Sequence, residues 1–184
     1  MLNLPNAITC CRIALVPVFL LAIERHDLAS ARYLFAAAAI SDGLDGIVAR
    51  WFNCKSELGA FLDPFADKLL LISSFIMLTV EGLLSKWLLA VVVLRDGIVV
   101  CGYFLLGLAL KGRVAIKPNF LGKAATALQL ACVMGALFQG AQTFGYQLWE
   151  TLLYATLAST TISGLIYVYD GVTYLRHSQT RVPA

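Results

Sequence analysis

Four aspartates stand where an apolar chain ordinarily excludes them. Asp42 and Asp45 interrupt the end of one hydrophobic stretch, and Asp63 and Asp67 interrupt the start of the next. An ionisable side chain inside a membrane-spanning segment is costly unless it is paired, hydrated or metal-bound, so it marks function. Asp42 and Asp45 are three residues apart and Asp63 and Asp67 four apart, which puts each pair on one face of a helix. The connection from Arg50 to Leu62 is short, so the two helices are expected to be antiparallel neighbours with both pairs at one depth. Four carboxylates converging there repel one another unless cations join them. An all-oxygen cluster suits Mg²⁺ or Mn²⁺, which commonly hold substrate phosphates as well. No histidine or cysteine is close enough in sequence to argue for zinc; His26 and His177, at the ends of apolar stretches, read as solvated loop positions.

The residues between the aspartates add detail, with two readings for each. Gly43, Gly46 and Ala49 leave a helix face nearly bare, either for approach of a bulky phosphorylated group or for ordinary small-residue packing. Arg50 could clamp a diphosphate with its two-pronged guanidinium, or snorkel as a topology charge. Gly59 precedes the second pair and also reads as a plain loop glycine, and Lys68 as a counter-charge to Asp67.

The elements that must position these residues are apolar helices. Of the 184 residues, 60% are hydrophobic and 14% charged, against about 25% charged in a soluble domain, and the mean hydropathy is +0.80. Apolar stretches run near 6–23, 30–50, 61–80, 84–110, 119–139 and 147–175. In lipid an isolated strand or loop leaves backbone groups unsatisfied, so each stretch is expected to be helical. The expected fold is therefore an all-α integral membrane protein of six transmembrane helices, one domain over 1–184. Met1 to Ile23 lacks a basic leader and a small-residue cleavage site, and reads as a retained first helix. With the N-terminus in the cytoplasm, that side collects Arg12, Arg50, Lys55, Lys68, Lys111, Arg113, Lys117, Lys123, Arg176 and Arg181. The other side receives Arg25, Arg32 and Lys86, with Arg95 deeper in a span, so both termini are expected to be cytoplasmic. The five cysteines lack metal-ligand spacing and read as small buried hydrophobes. A formal net charge of +3 is too small to suggest nucleic acid.

Together the residues read Asp42-Gly-Leu-Asp45-Gly46-Ile-Val-Ala49-Arg50, eight residues, Gly59, three residues, Asp63, three residues, Asp67. This resembles the signature of the CDP-alcohol phosphotransferases, DxxDGxxAR(x8)GxxxDxxxD, with every fixed position present. The opening Asn3-Leu-Pro5-Asn6-Ala-Ile-Thr9 with Arg12, the run Leu62-Asp63-Pro64 to Asp67-Lys68, and Gly122-Lys123 resemble the phosphatidylglycerophosphate synthase and cardiolipin synthase branches. The resemblance implies six transmembrane helices and a reaction joining a CDP-linked lipid to an alcohol with release of CMP. Asp42, Asp45, Asp63 and Asp67 would hold two divalent cations, Mg²⁺ or Mn²⁺, and Asp67 would also serve as general base. Gly46, Ala49, Arg50 and Gly59 would form the nucleotide and diphosphate site. It also implies a homodimer in the cell (inner) membrane with its active site at the cytoplasmic face, or in the mitochondrial inner membrane if the source is eukaryotic.

The acceptor alcohol is expected to meet Arg95, Lys117, Lys123 and Arg176, basic residues that equally suit topology and attraction of anionic headgroups. The first expectation is transfer of phosphatidyl from CDP-diacylglycerol to glycerol 3-phosphate. Synthases using that acceptor commonly resemble GKxKT and carry Arg-Glu in the fourth span. This chain has Gly122-Lys123-Ala-Ala125-Thr126 and Arg95-Asp96, which with Lys117-Pro118-Asn-Phe120 look closer to the cardiolipin synthase branch, where phosphatidylglycerol is the acceptor. Inositol phosphate and serine are further alternatives. A cation transporter would distribute its carboxylates across the membrane depth rather than cluster them at one face. An isoprenoid-type enzyme also uses paired aspartates and Mg²⁺, but in soluble helical proteins.

Overall fold

The computed structural model describes residues 4–52, 57–109 and 120–179, with side chains described over 10–41, 66–102, 120–140 and 142–173. Its elements are α-helices throughout: α1 (Leu4–Glu24), α2 (Leu28–Phe52), α3 (Glu57–Val80), α4 (Lys86–Ala109), α5 (Phe120–Leu137), α6 (Gly140–Phe144) and α7 (Tyr146–Gln179). Six of these are long. At 1.5 Å per residue, the 21 residues of α1 extend about 30 Å, the depth of a bilayer's hydrocarbon core. Phe120–Leu137 in α5 and Tyr146–Thr173 in α7, with mean hydropathies of 1.5 and 1.4, are long and apolar enough to cross a membrane.

The six long helices coincide with the six apolar stretches, their ends moved by a few residues. The short α6 is an addition. It follows Gln139, whose left-handed backbone (φ 53°) ends the run of α5, and Gly145 (φ 82°) turns the chain into α7. Periodicity cannot register a single turn of this kind, because five residues are too few to show a face.

Two expectations need correction. Cys10, Cys11 and Cys101 are exposed and Cys132 alone of the described cysteines is buried, because a helix in a bundle turns only one side inward; Cys54 lies outside the described residues. His177 falls within α7, which continues to Gln179, rather than in a loop.

The helices pack as two groups of three. α1 lies against α2 and α3, while α7 lies against α4 and α5; α5 also reaches α2 and α3, and α4 reaches α3. On α1 the buried residues Arg12, Val16, Phe19 and Ile23 recur at helical spacing and form one stripe. Phe19 meets Phe35 of α2 with ring centroids 5.6 Å apart. Phe75 and Leu78 of α3 and Val133 and Leu137 of α5 complete the core.

The α1–α2 turn is fixed by polar contacts. The Asp27 carboxylate accepts from the Ser30 backbone N–H at 3.1 Å, and the Ser30 hydrogen bonds hold its pKa below the ordinary 3.8. His26 Nδ1 lies 3.2 Å from Glu81 at the end of α3. Arg32 Nε donates to the Leu137 carbonyl at 3.1 Å and the guanidinium lies 4.6 Å from the Phe138 ring centre, tying α2 to α5.

The corner around α6 depends on glycine. A Cβ added at Gly140 would fall 2.2 Å from the Trp149 ring, and one at Gly135 would fall 2.7 Å from it. Gly140→Ala is therefore expected to displace Trp149 and destabilise the α5–α7 pair by about 1–3 kcal/mol. Thermal unfolding of the purified variant in detergent checks this, with a lowered Tm as the expected result.

Candidate active site

Each aspartate pair sits on a continuous helix. α2 runs through Asp42 and Asp45 to Phe52, so Gly46, Ala49 and Arg50 lie within the helix as well. The buried residues Ala31, Phe35 and Ala38 set a spacing of four and three, and positions 42 and 45 continue it along the same face. α3 begins at Glu57, which places Gly59 inside the helix rather than in a loop. Gly59, Asp63 and Asp67 then recur every fourth residue along one face.

Of the four aspartates, Asp67 has a described side chain. Its Oδ1 lies 2.5 Å from Nη1 of Arg12, with side-chain exposures of 39% for Asp67 and 1% for Arg12. The neighbour Ala66 is fully buried, and Leu70, Leu71 and Ser74 continue the inward side of α3. A carboxylate that is partly open to solvent is therefore held from beneath by a guanidinium shielded from water. Such a pair orients the acid, because the charge-assisted hydrogen bond fixes where its oxygens lie.

The pairing of Arg12 with Asp67 is what the sequence reading misses, although Arg12 stands in the opening that resembles the synthase branches. The signature begins thirty residues later, and the topology count treats Arg12 only as a cytoplasmic-side cation. The available signal was its position as the sole charge inside the first apolar run, on the stripe that leads to Val16 and Phe19.

A second polar cluster lies across the bundle. Lys68, the residue after Asp67, places Nζ 2.6 Å from Asp96 Oδ1. Arg95 Nη1 donates to the same oxygen at 2.7 Å, and Nη2 donates to Ser163 Oγ at 3.0 Å. The Arg95 guanidinium lies 5.6 Å from the Tyr167 ring centre. Gly122 and Gly164 leave it room, since a Cβ at either would approach Arg95 to 3.3 Å. Arg95 and Asp96 are 6% and 1% exposed, whereas Lys123 at the start of α5 is exposed. Arg95, one of the basic residues expected at the acceptor, is thus engaged by protein partners. Lys117 lies outside the described residues; Arg176 is in α7, with its side chain outside them.

The arrangement fits divalent cations in its donor chemistry. Both backbones are helical, the spacings put each carboxylate pair on one face, and Asp67 is partly solvent-accessible. Asp42, Asp45 and Asp63 carry side chains outside the description; among the described residues no group of three histidine, cysteine or acidic side chains gathers.

The sequence model of the CDP-alcohol phosphatidyltransferase family matches residues 2–162, which span Arg12, all four aspartates and the Arg95–Asp96 pair. The chain belongs to this family. A probable phosphatidylglycerophosphate synthase of Mycobacterium tuberculosis (strain H37Rv) is 37% identical over 137 residues, covering 71% of this chain and 64% of the relative. A CDP-diacylglycerol–glycerol-3-phosphate 3-phosphatidyltransferase of Bacillus subtilis is 34% identical over 185 residues, covering 91% of this chain and 94% of the relative. A CMP-forming cardiolipin synthase of Rattus norvegicus is 30% identical, covering 91% of this chain and 60% of the relative. The chain therefore spans less than two thirds of the mycobacterial and rat proteins and nearly all of the Bacillus one.

Within this family fold the Arg12–Asp67 pair has a measurable consequence. Arg12→Met removes the guanidinium while filling its space, and turnover is expected to fall by about 10²-fold, the scale of a 1 Å misplacement at a reacting centre. Arg12→Lys keeps the charge without the fixed fork, so it should retain an intermediate rate. Steady-state CMP release by the two variants, each verified as folded by circular dichroism, checks both.

Proposed function

We propose that this protein is a CDP-alcohol phosphatidyltransferase of phospholipid biosynthesis, transferring phosphatidyl from CDP-diacylglycerol to glycerol 3-phosphate with release of CMP. The family match over residues 2–162, with every fixed position of the aspartate signature present, carries the reading. The Bacillus relative, similar over almost its whole length, is named for that reaction.

In this reading the protein crosses a cell (inner) membrane six times, with both termini and the aspartates at the cytoplasmic face. The asymmetry of lysine and arginine supports that orientation. Gly46, Ala49, Arg50 and Gly59 bind the nucleotide and diphosphate, the small residues admitting the group to the helix face and Arg50 pairing with phosphate oxygens. Asp42, Asp45, Asp63 and Asp67 would hold two divalent cations, Mg²⁺ or Mn²⁺, which neutralise the diphosphate and the charge on departing CMP. Arg12 holds the Asp67 carboxylate against the acceptor. The acceptor hydroxyl attacks the phosphorus bearing the diacylglycerol and gives its proton to Asp67. A new P–O bond to the acceptor forms as the diphosphate P–O bond breaks, and CMP leaves with that electron pair. Lys117, Lys123 and Arg176 would meet the acceptor, with Arg95 doing so from its place beside Asp96 and Ser163, and the working unit is a homodimer.

Cardiolipin synthesis from phosphatidylglycerol is a second reading. Ala125 in place of the second lysine and Asp96 beside Arg95 favour it, as does the similarity to the rat cardiolipin synthase.

Purified protein given CDP-diacylglycerol, Mg²⁺ or Mn²⁺ and one acceptor at a time separates these readings. CMP release with glycerol 3-phosphate is the expected result, and release with phosphatidylglycerol alone would favour the second. Release with neither, nor with inositol phosphate or serine, would overturn the assignment. Asp67→Asn should abolish turnover in a folded protein, and chelation of divalent cations should do the same until Mg²⁺ or Mn²⁺ is restored.

A further inference from the structure

α3 is held from two sides by consecutive residues. Asp67 faces α1, where Arg12 meets it at 2.5 Å, and Lys68 faces α4, where Asp96 meets it at 2.6 Å. From Asp96 the chain of contacts continues through Arg95 Nη1 at 2.7 Å to Ser163 of α7 at 3.0 Å. Two sets of polar contacts thus leave α3 from adjacent residues, one to α1 and the other to α4 and α7. Among the described residues, Lys68–Asp96 is the ion pair that crosses between the α1–α2–α3 group and the α4–α5–α7 group.

A role limited to holding the bundle together does not account for this cluster. Asp96 is 1% exposed and receives two cations on a single oxygen, while Oδ2 and Arg95 Nε are buried without hydrogen-bond partners among the described residues. Apolar side chains of similar volume commonly serve stability as well as or better than such a cluster. Charged groups in fixed directions can do something apolar packing does not, which is to set the register of one helix group against another.

We propose that Asp96 is a positioning residue which, through Lys68 and Arg95, fixes the acceptor-side helices α4, α5 and α7 against the helix that carries Asp67. This rests on the transferase reading above. The nucleotide and diphosphate residues all lie on α2 and α3, so the donor site forms within one helix group. The acceptor must bridge both groups to bring its hydroxyl to Asp67. Loosening the Lys68–Asp96 link therefore acts on the acceptor and spares the donor.

The experiment is a kinetic split measured in nanodiscs for wild type, Asp96→Asn, Asp96→Glu and Lys68→Gln. In Asp96→Asn, kcat/KM for the acceptor is expected to fall at least tenfold while KM for CDP-diacylglycerol stays within twofold. Asp96→Glu, which keeps the carboxylate, should recover at least a third of the acceptor kcat/KM. Lys68 is 26% exposed, so Lys68→Gln tests the same link if Asp96→Asn does not fold, and it should show the same split. Unchanged kinetics in a folded variant, or equal losses for donor and acceptor, would overturn the positioning role alone. A wild-type protein that releases no CMP with any acceptor would overturn the transferase reading and this role with it.

Discussion

A guanidinium removed almost wholly from water sets the geometry on which the site depends. Arg12 is 1% exposed, and a charge so placed costs several kcal/mol unless an anion and further hydrogen bonds compensate it. Asp67 supplies the anion. The requirement runs in both directions: α1 must present Arg12 at the depth of Asp67, and α3 must keep Asp67 turned toward α1. Val16, Phe19 and Ile23, on the stripe that begins with Arg12, bury the rest of α1 in the core. Apolar packing thus fixes the helix and the ion pair fixes its depth.

The two helix groups carry different polar residues. α2 and α3 carry the signature residues on faces that continue the buried spacing of Ala31, Phe35 and Ala38 and of Leu70, Ser74 and Leu78. α4, α5 and α7 carry a polar seam: Gln129 Nε2 donates to Thr160 Oγ1 at 3.1 Å, and Arg95 reaches Ser163 at 3.0 Å. An apolar chain tolerates such groups where each finds a partner within the bundle. Their concentration between the helices, with exposed residues such as Leu94, Leu165 and Tyr169 on the outside, is the arrangement of a protein whose surroundings are apolar and whose polar contacts are interior.

Much of this was legible in the sequence. The apolar stretches located all six long helices because hydrophobic length and helical backbone satisfaction leave little choice. The aspartate spacing marked the candidate site, and the helical backbones of α2 and α3 agree with the reading of each pair as one helix face. That α1 and α5 each lie against both α2 and α3 is packing that the aspartate spacing does not reveal. Long-range pairing was not legible. Nothing in one sequence says that Arg12, fifty-five residues away, meets Asp67, or that Lys68 turns from its neighbour Asp67 to Asp96. Arg95 shows the same limit in reverse. Expected at the acceptor, it also meets Asp96 and Ser163, contacts that its place in the sequence does not show, because burial makes a guanidinium satisfy itself locally.

The central claim is that an acceptor hydroxyl attacks the lipid-bearing phosphorus of a CDP-linked donor. Placing ¹⁸O in the attacking hydroxyl of glycerol 3-phosphate tests this directly when both products of one turnover are examined by mass spectrometry. The account predicts that the label remains in the phosphodiester of the lipid product and that the released CMP carries none. Label in a cytidylyl product, or a lipid product that has lost it, would contradict the account.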